Sequence, residues 1–324
     1  MKQFLSGIFL FVLFLYLLLY PADSLDVCTR VLILWSHSIV PSLLPVMILS
    51  RLFISTKFLF FLLKPISFLC NKILKLSSSG TYALTIGYLC GYPMGVKTLS
   101  DLSAQNLISD KEAYYLAGFI NNVSPFFIIT YVCEELLHCP DFSVPFVIIL
   151  YGASFTYGTL AVFFLQNTPY NMDSQATSTQ NIFSSKKEIS DKSFLTLLDL
   201  TIEESLLQIL KIGGYILIFS LISAMICQVS FVSDFLTAVS CAMLEISYGS
   251  YMLSTLSCPK FWKYLLLIIT LSFGGICSAC QSAVYLKSIG LPVKKYLKRK
   301  AMTAVIALIY YLIYTYHIWI TIII

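Results

Sequence analysis

An all-α, polytopic helical membrane protein, built from two inverted-topology repeats with broken or re-entrant helices, is the fold that this sequence predicts. Three observations predict it. Only 11% of the 324 residues are charged and 58% are hydrophobic, against the roughly 25% charged usual in soluble domains. The mean hydropathy is +0.84, and at about 20 residues per crossing the chain holds about seven to nine membrane-inserted segments. Third, residues 89–125 contain apolar runs interrupted at Gly91, Pro93 and Gly95, and again at Asn121, Asn122, Ser124 and Pro125. Backbone freed from a helix at membrane depth is tolerated only where protein buries it or where it lines a polar cavity, so these breaks mark a binding site or a path.

Taken in order, residues 4–20 form an unbroken apolar run behind Lys2, and their exit, Tyr20-Pro21-Ala22-Asp23, lacks a small-x-small cleavage pattern. Residues 1–24 therefore read as a retained signal anchor with its amino end inside, which puts Asp23 and Asp26 outside. The segment 27–53 carries Pro41 and Pro45 and ends at Arg51 and Lys57, as expected of a kinked crossing from outside to inside. Residues 57–76 are punctuated by Lys57, Lys64, Lys72 and Lys75 and read as one or two helices lying at the cytoplasmic face, or as a shallow re-entrant element. Residues 81–96 enter the membrane and break at GYPMG; 113–133 cross outward and 142–165 return. The first repeat is thus 25–166.

Residues 167–193, rich in Ser, Thr, Asn and Gln, read as a flexible cytoplasmic linker. The second repeat, 194–286, opens with an amphipathic approach at 194–211 and crosses outward at 213–229. Its next stretch, 230–257, carries Asp234, Glu245 and Gly249, and 261–280 crosses back through Gly274 and Gly275. Lys287, Lys294, Lys295, Lys298, Arg299 and Lys300 mark a cytoplasmic loop. The unit 287–324 closes with a crossing whose Tyr310, Tyr311, Tyr314, Tyr316, His317 and Trp319 suit an outer interfacial belt.

Both halves give a crossing, a broken element and a crossing that ends in broken residues, with opposite orientation. LPVMILS at 44–50 and GYILIFS at 214–220 share apolar spacing. Inverted repeats with discontinuous elements describe secondary transporters, whose site lies at the repeat interface. Glu245 interrupts an apolar stretch with no basic neighbour in sequence; such a group is a proton-coupling candidate, or a carboxylate capping the amides of a re-entrant turn. Lys97 reads first as an interfacial lysine. Asn121 and Asn122 offer amides to a ligand or to neighbouring helices.

Other classes find little footing. There is no HExxH, GxSxG or P-loop, and His37, His138 and His317 are scattered. No enzyme activity, cofactor, metal site or nucleic-acid partner is expected. The ten cysteines, including Cys277 and Cys280 in a CxxC, read as packing residues.

The GYPMG sequence followed by Lys97, Glu112-Ala113, Asn121-Asn122 and Ser124-Pro125 resembles the pattern of YlbJ/SpoVV-type sporulation integral membrane proteins. Lys211, Gly213, Gly214, Glu245, Gly249, Gly274, Gly275 and Gln281 follow the family's order more loosely. The resemblance runs from about residue 27 to 320. It implies nucleoside-recognition (Gate) domains and a transporter of dipicolinic acid in the cell membrane, at the outer forespore membrane during sporulation. A nucleoside or nucleobase permease and a non-transporting sporulation scaffold are the alternatives. Besides the lipid bilayer, the implied partners are a small anionic substrate, a second copy of the chain or other sporulation membrane proteins. The implied substrate-binding set is Gly91, Tyr92, Pro93, Gly95, Lys97, Asn121, Asn122, Ser124, Pro125, Glu245, Gly249, Gly274, Gly275 and Gln281. Tyr92 would stack on the ligand's ring. Two departures fall in the second half: Tyr248 stands where the family usually has Asn, and Ala279 where it has His.

Overall fold

A computed structural model describes residues 2–56, 63–166, 194–228 and 233–323, and every regular element in them is helical. Among the described residues, four helical stretches are long and apolar enough to cross a membrane: Pro21–Leu49, Pro140–Phe163, Phe194–Cys227 and Lys260–Ser288. Apolar side chains such as Ile148, Phe163, Leu207 and Leu210 point outward, which is inexpensive against lipid.

The order of elements repeats. The first half runs through a long helix (Pro21–Leu34, continuing through Val40–Thr56), a hairpin of Ser78–Cys90 and Met94–Ala104, a broken helix (Asp110–Leu116, then Phe127–Leu136) and Ser143–Gln166. The second half runs through Phe194–Cys227, a hairpin of Asp234–Leu244 and Ile246–Thr255, a broken helix (Lys260–Phe273, then Gly275–Ser288) and Val293–Ile323. Corresponding helices pack on one another: Phe194–Cys227 lies against the Pro21–Thr56 stretch, and Val293–Ile323 lies against Ser143–Gln166.

The hairpins enter from opposite ends. At one end Gln228 donates to Asp23 at 2.7 Å and Arg30 donates to the Tyr251 hydroxyl of the second hairpin at 3.0 Å. At the other, the first hairpin meets the end of the second broken helix through Ser100 and Ser288, 2.7 Å apart. There Ser109 caps Asp110–Leu116 through Glu112 N–H, and Glu112 Oε1 accepts from Ser77 N–H at 2.7 Å, closing the open end of the first hairpin. Burial raises the Glu112 carboxyl above its ordinary value, and the Ser77 hydrogen bond pulls against that.

Local chemistry explains the breaks. Pro41 has no N–H to give the His37 carbonyl and its ring crowds that oxygen; the helix widens to a π-turn at Trp35–Ile39, where Val40 N–H reaches back to the Trp35 carbonyl. Gly91 and Gly274 hold φ of 76° and 89°, a region that costs a side-chain-bearing residue but not glycine. Each ends a helix and lets the next begin at a new angle.

Several expectations need correction. The approach at 194–211 and the crossing at 213–229 are one 34-residue helix through Cys227, because nothing in Phe194–Lys211 breaks the ladder. Its acidic residues Asp199, Glu203 and Glu204 lie in the first three turns, and Lys211 lies at its middle. The basic loop is only residues 289–292; Lys294, Lys295, Lys298, Arg299 and Lys300 belong to the last helix. The aromatic cluster is not all interfacial: Tyr311 is buried and donates to the Phe261 carbonyl, Tyr310 pairs with Thr156, and Tyr314 packs on Phe142. Tyr316 alone of these four is exposed. In 57–76 the helix Lys64–Leu74 buries Cys70 and Leu74 while exposing Ile66, Phe68, Leu69 and Ile73, as an interfacial helix does. Lys57 and the linker 167–193 lie outside the described residues.

Candidate functional site

All four breaks meet at one cavity of about 60 Å³, room for a few water molecules. Tyr92 comes from the tip of the first hairpin, Ser124 from the first broken helix, Glu245 and Ser247 from the tip of the second hairpin, and Ser278 and Gln281 from the second broken helix. Ile39 at the end of the π-turn, Ser42 and Leu43 just past it, and Ile212 and Ile216 also line the wall.

Each hairpin tip lies against the break of its own half and touches the other half. A Cβ on Gly91 would stand 2.7 Å from Ser124 N, and one on Gly275 would stand 3.2 Å from the Leu244 carbonyl. Across the halves, a Cβ on Gly274 would overlap the Tyr92 hydroxyl, and Tyr131 donates to the Ser247 carbonyl at 3.2 Å. The breaks are therefore one assembly, and no isolated kink explains them.

Helix starts cluster here. Glu245 has 1% exposure, and its two oxygens accept from Ser247 N–H at 2.9 Å and Tyr248 N–H at 2.7 Å, so it caps Ile246–Thr255 with an acidic group where the helix dipole favours one. Ser124 Oγ accepts from Phe127 N–H. The helix Gly275–Ser288 starts with no side-chain cap. The uncapped start of Gly275–Ser288 leaves first-turn N–H groups as donors beside the cavity, which suits an anionic or carbonyl-rich ligand.

The sequence-predicted set divides. Tyr92, Ser124, Glu245 and Gln281 line the cavity. Gly91, Pro93, Gly95, Pro125, Gly249, Gly274 and Gly275 shape it through the backbone without lining it. Asn121 and Asn122 are turned away, a correction to their expected role. Asn121 Oδ1 accepts from Val96 N–H at 3.2 Å, capping the second arm of the first hairpin, and its Nδ2 donates to Ser282 and Tyr296. Asn122 Nδ2 donates to the Phe119 carbonyl and Ser154. These amides satisfy freed backbone and leave none of their donors for a ligand. Lys97 is also outside: it pairs with Asp101 at 2.9 Å on its own helix and faces the Tyr285 ring. Neither Tyr248 nor Ala279 lines the cavity, so the two departures lie behind its wall.

One residue was hidden in the basic run. Lys300 is fully buried; its ammonium donates to the Asn121 carbonyl at 2.8 Å and to Asn122 Oδ1 at 3.4 Å, and lies 5.4 Å from the Tyr92 ring centroid. Its neighbour Arg299 donates to the Tyr114 carbonyl at 2.7 Å. Two cations thereby meet the carbonyl-rich end of the half-helix Asp110–Leu116 and the break after it, where positive charge is favoured. The signal was spacing: Tyr296, Lys300, Thr303, Ala307 and Tyr311 fall three or four apart and are all buried.

No protein-family profile matches the chain, and no solved structure matches it. Among curated proteins, the sporulation integral membrane protein YlbJ of Bacillus subtilis (strain 168) is 25% identical over 324 residues, an alignment that covers 90% of this chain and 77% of that protein. Along nine-tenths of its length, then, this integral membrane chain is similar to a sporulation protein.

Proposed function

We propose that the protein is a secondary transporter or facilitator that moves a small anionic metabolite, dipicolinic acid, across the outer forespore membrane during endospore formation. The observation that carries this reading is the convergence of four helix breaks, two from each half, on one cavity. A scaffold has no use for such a cavity, because each break in lipid forfeits backbone hydrogen bonds that must be replaced. Two hairpins entering from opposite ends, with their tips at one site, form the arrangement that alternating access requires. The uncapped start of Gly275–Ser288 suits a carboxylate, and the motif resemblance supplies the pyridine dicarboxylate. With no P-loop in the chain, transport would be driven by a gradient or by a partner.

The test is uptake of labelled dipicolinate into proteoliposomes, with nucleosides and nucleobases as parallel solutes. Saturable dipicolinate flux is expected. Flux of nucleosides alone would move the assignment to a permease, and flux of neither would overturn transport.

A further inference from the structure

Lys300 is a buried cation with two neutral hydrogen-bond partners, and among the described residues no carboxylate pairs with it. Neutral acceptors offset only part of the desolvation cost of an ammonium. The ammonium also lies over the Tyr92 ring, 5.4 Å from its centroid. A cation against an aromatic ring draws on its π-electrons, and withdrawing density from a phenol makes its O–H a stronger donor.

Tyr92 belongs to the cavity wall, and its O–H packs on Gly274. Tyr92 is 8% exposed and lines the wall, yet its hydroxyl has no hydrogen-bond partner among the described residues. Buried hydroxyls normally find one, so an unpartnered donor at a cavity wall points to a ligand. The hydroxyl rests on Gly274, and a Cβ there would also stand 3.1 Å from Ser278 Oγ. The 14-residue helix Gly275–Ser288 begins at the same point without a side-chain cap, so its positive end and first N–H groups add to the donors. Glu245 lines the same cavity with its oxygens already occupied by Ser247 and Tyr248 N–H groups. Ionised, it repels an anion from its own part of the wall.

We propose that one carboxylate group of the ligand binds between the Tyr92 hydroxyl and the start of helix Gly275–Ser288, with Lys300 as its counter-charge from behind the ring. The inference rests on reading the cavity as a substrate site. It assigns Tyr92 as a donor, where the resemblance implied a stacking surface, and it sets the ligand class as carboxylates. A neutral solute of the same shape cannot use the charge.

The experiment measures ligand-induced thermal stabilisation of the purified full chain in detergent. The probes are dipicolinate, pyridine-2-carboxylate, benzoate and the neutral pyridine-2,6-dicarboxamide. The carboxylates are expected to stabilise the wild type and the diamide is not. Tyr92→Phe removes a hydroxyl that bonds nothing in the protein, so the fold is kept while carboxylate affinity falls about tenfold or more. Lys300→Met is expected to weaken carboxylates in the same order, but Tyr92→Phe is decisive because Lys300 also holds backbone. Equal carboxylate binding by wild type and Tyr92→Phe, binding of the diamide as tight as the diacid, or no carboxylate binding to the wild type would each overturn the site. Carboxylate binding through Tyr92 without any dipicolinate flux would uphold the site and reject the transport reading.

Discussion

The Lys300 ammonium donates to the Asn121 carbonyl at 2.8 Å, tying the last helix to the break in the first half. Lys300→Met leaves that buried carbonyl without its donor. A charge-assisted bond of this kind contributes about 1.5–3 kcal/mol, and a loss of that order is expected in unfolding of the purified protein in detergent. Unchanged stability would mean that the contact has no energetic role.

Glu245 is expected to act twice, as a helix cap and as a proton acceptor. Glu245→Ala should cost about 1 kcal/mol through the lost cap. The groups facing the carboxylate are Ser220 at 3.5 Å, Tyr131, Cys277 and its own helix's Tyr248, with no cation paired to it among the described residues. An ionisable group at membrane depth is by default a functional one. Dipicolinate uptake is expected to vary with pH in the wild type and to lose that dependence in Glu245→Gln. A variant with the wild-type pH profile would remove Glu245 from the coupling step.

The breaks were legible because Gly, Pro and Asn in an apolar run have few other uses. Gly91, Ser124, Glu245 and Gly274 all stand where helices stop or start. Which side chains at a break face the cavity was not legible. Asn121 and Asn122 carry ligand-like amides, but a broken helix leaves carbonyls and N–H groups that need those same amides, and the backbone claims them. Lys300 was obscured differently: in the run VKKYLKRK every cation looks cytoplasmic, and only the three-to-four spacing with Tyr296, Thr303 and Ala307 singles it out. The walls from Ile39 to Leu43 and at Ile212 and Ile216 carry no sequence mark, because apolar residues are common throughout.

Glu112 supplies a pH signature outside the membrane segments. Its folded pKa is raised by burial, so the folded protein binds the proton more tightly than the unfolded chain. That stability is present below the ordinary carboxylate pKa, about 4.3, and is lost as pH rises through the higher folded value. Unfolding followed against pH should show this decline, and Glu112→Gln should flatten it. An unaltered profile in the variant would assign the decline to other groups.

Gly249 marks the closest approach of the second hairpin's arms, since a Cβ there would overlap the Ala242 backbone. Gly249→Ala should splay the arms and cost about 1–3 kcal/mol as overpacking. Loss of dipicolinate uptake is expected with it, measured beside the folded yield. Full uptake would show that the hairpin tolerates the added methyl.

The central claim is that the cavity where the four breaks meet is the substrate's path. Ile216 is buried in its wall and has no polar role, so Ile216→Trp fills the space and leaves the donors intact. The measurement is initial dipicolinate uptake by wild-type and Ile216→Trp proteoliposomes at equal folded protein. Saturable uptake is expected in the wild type and its loss in the variant; equal uptake by the two would contradict a path through this cavity.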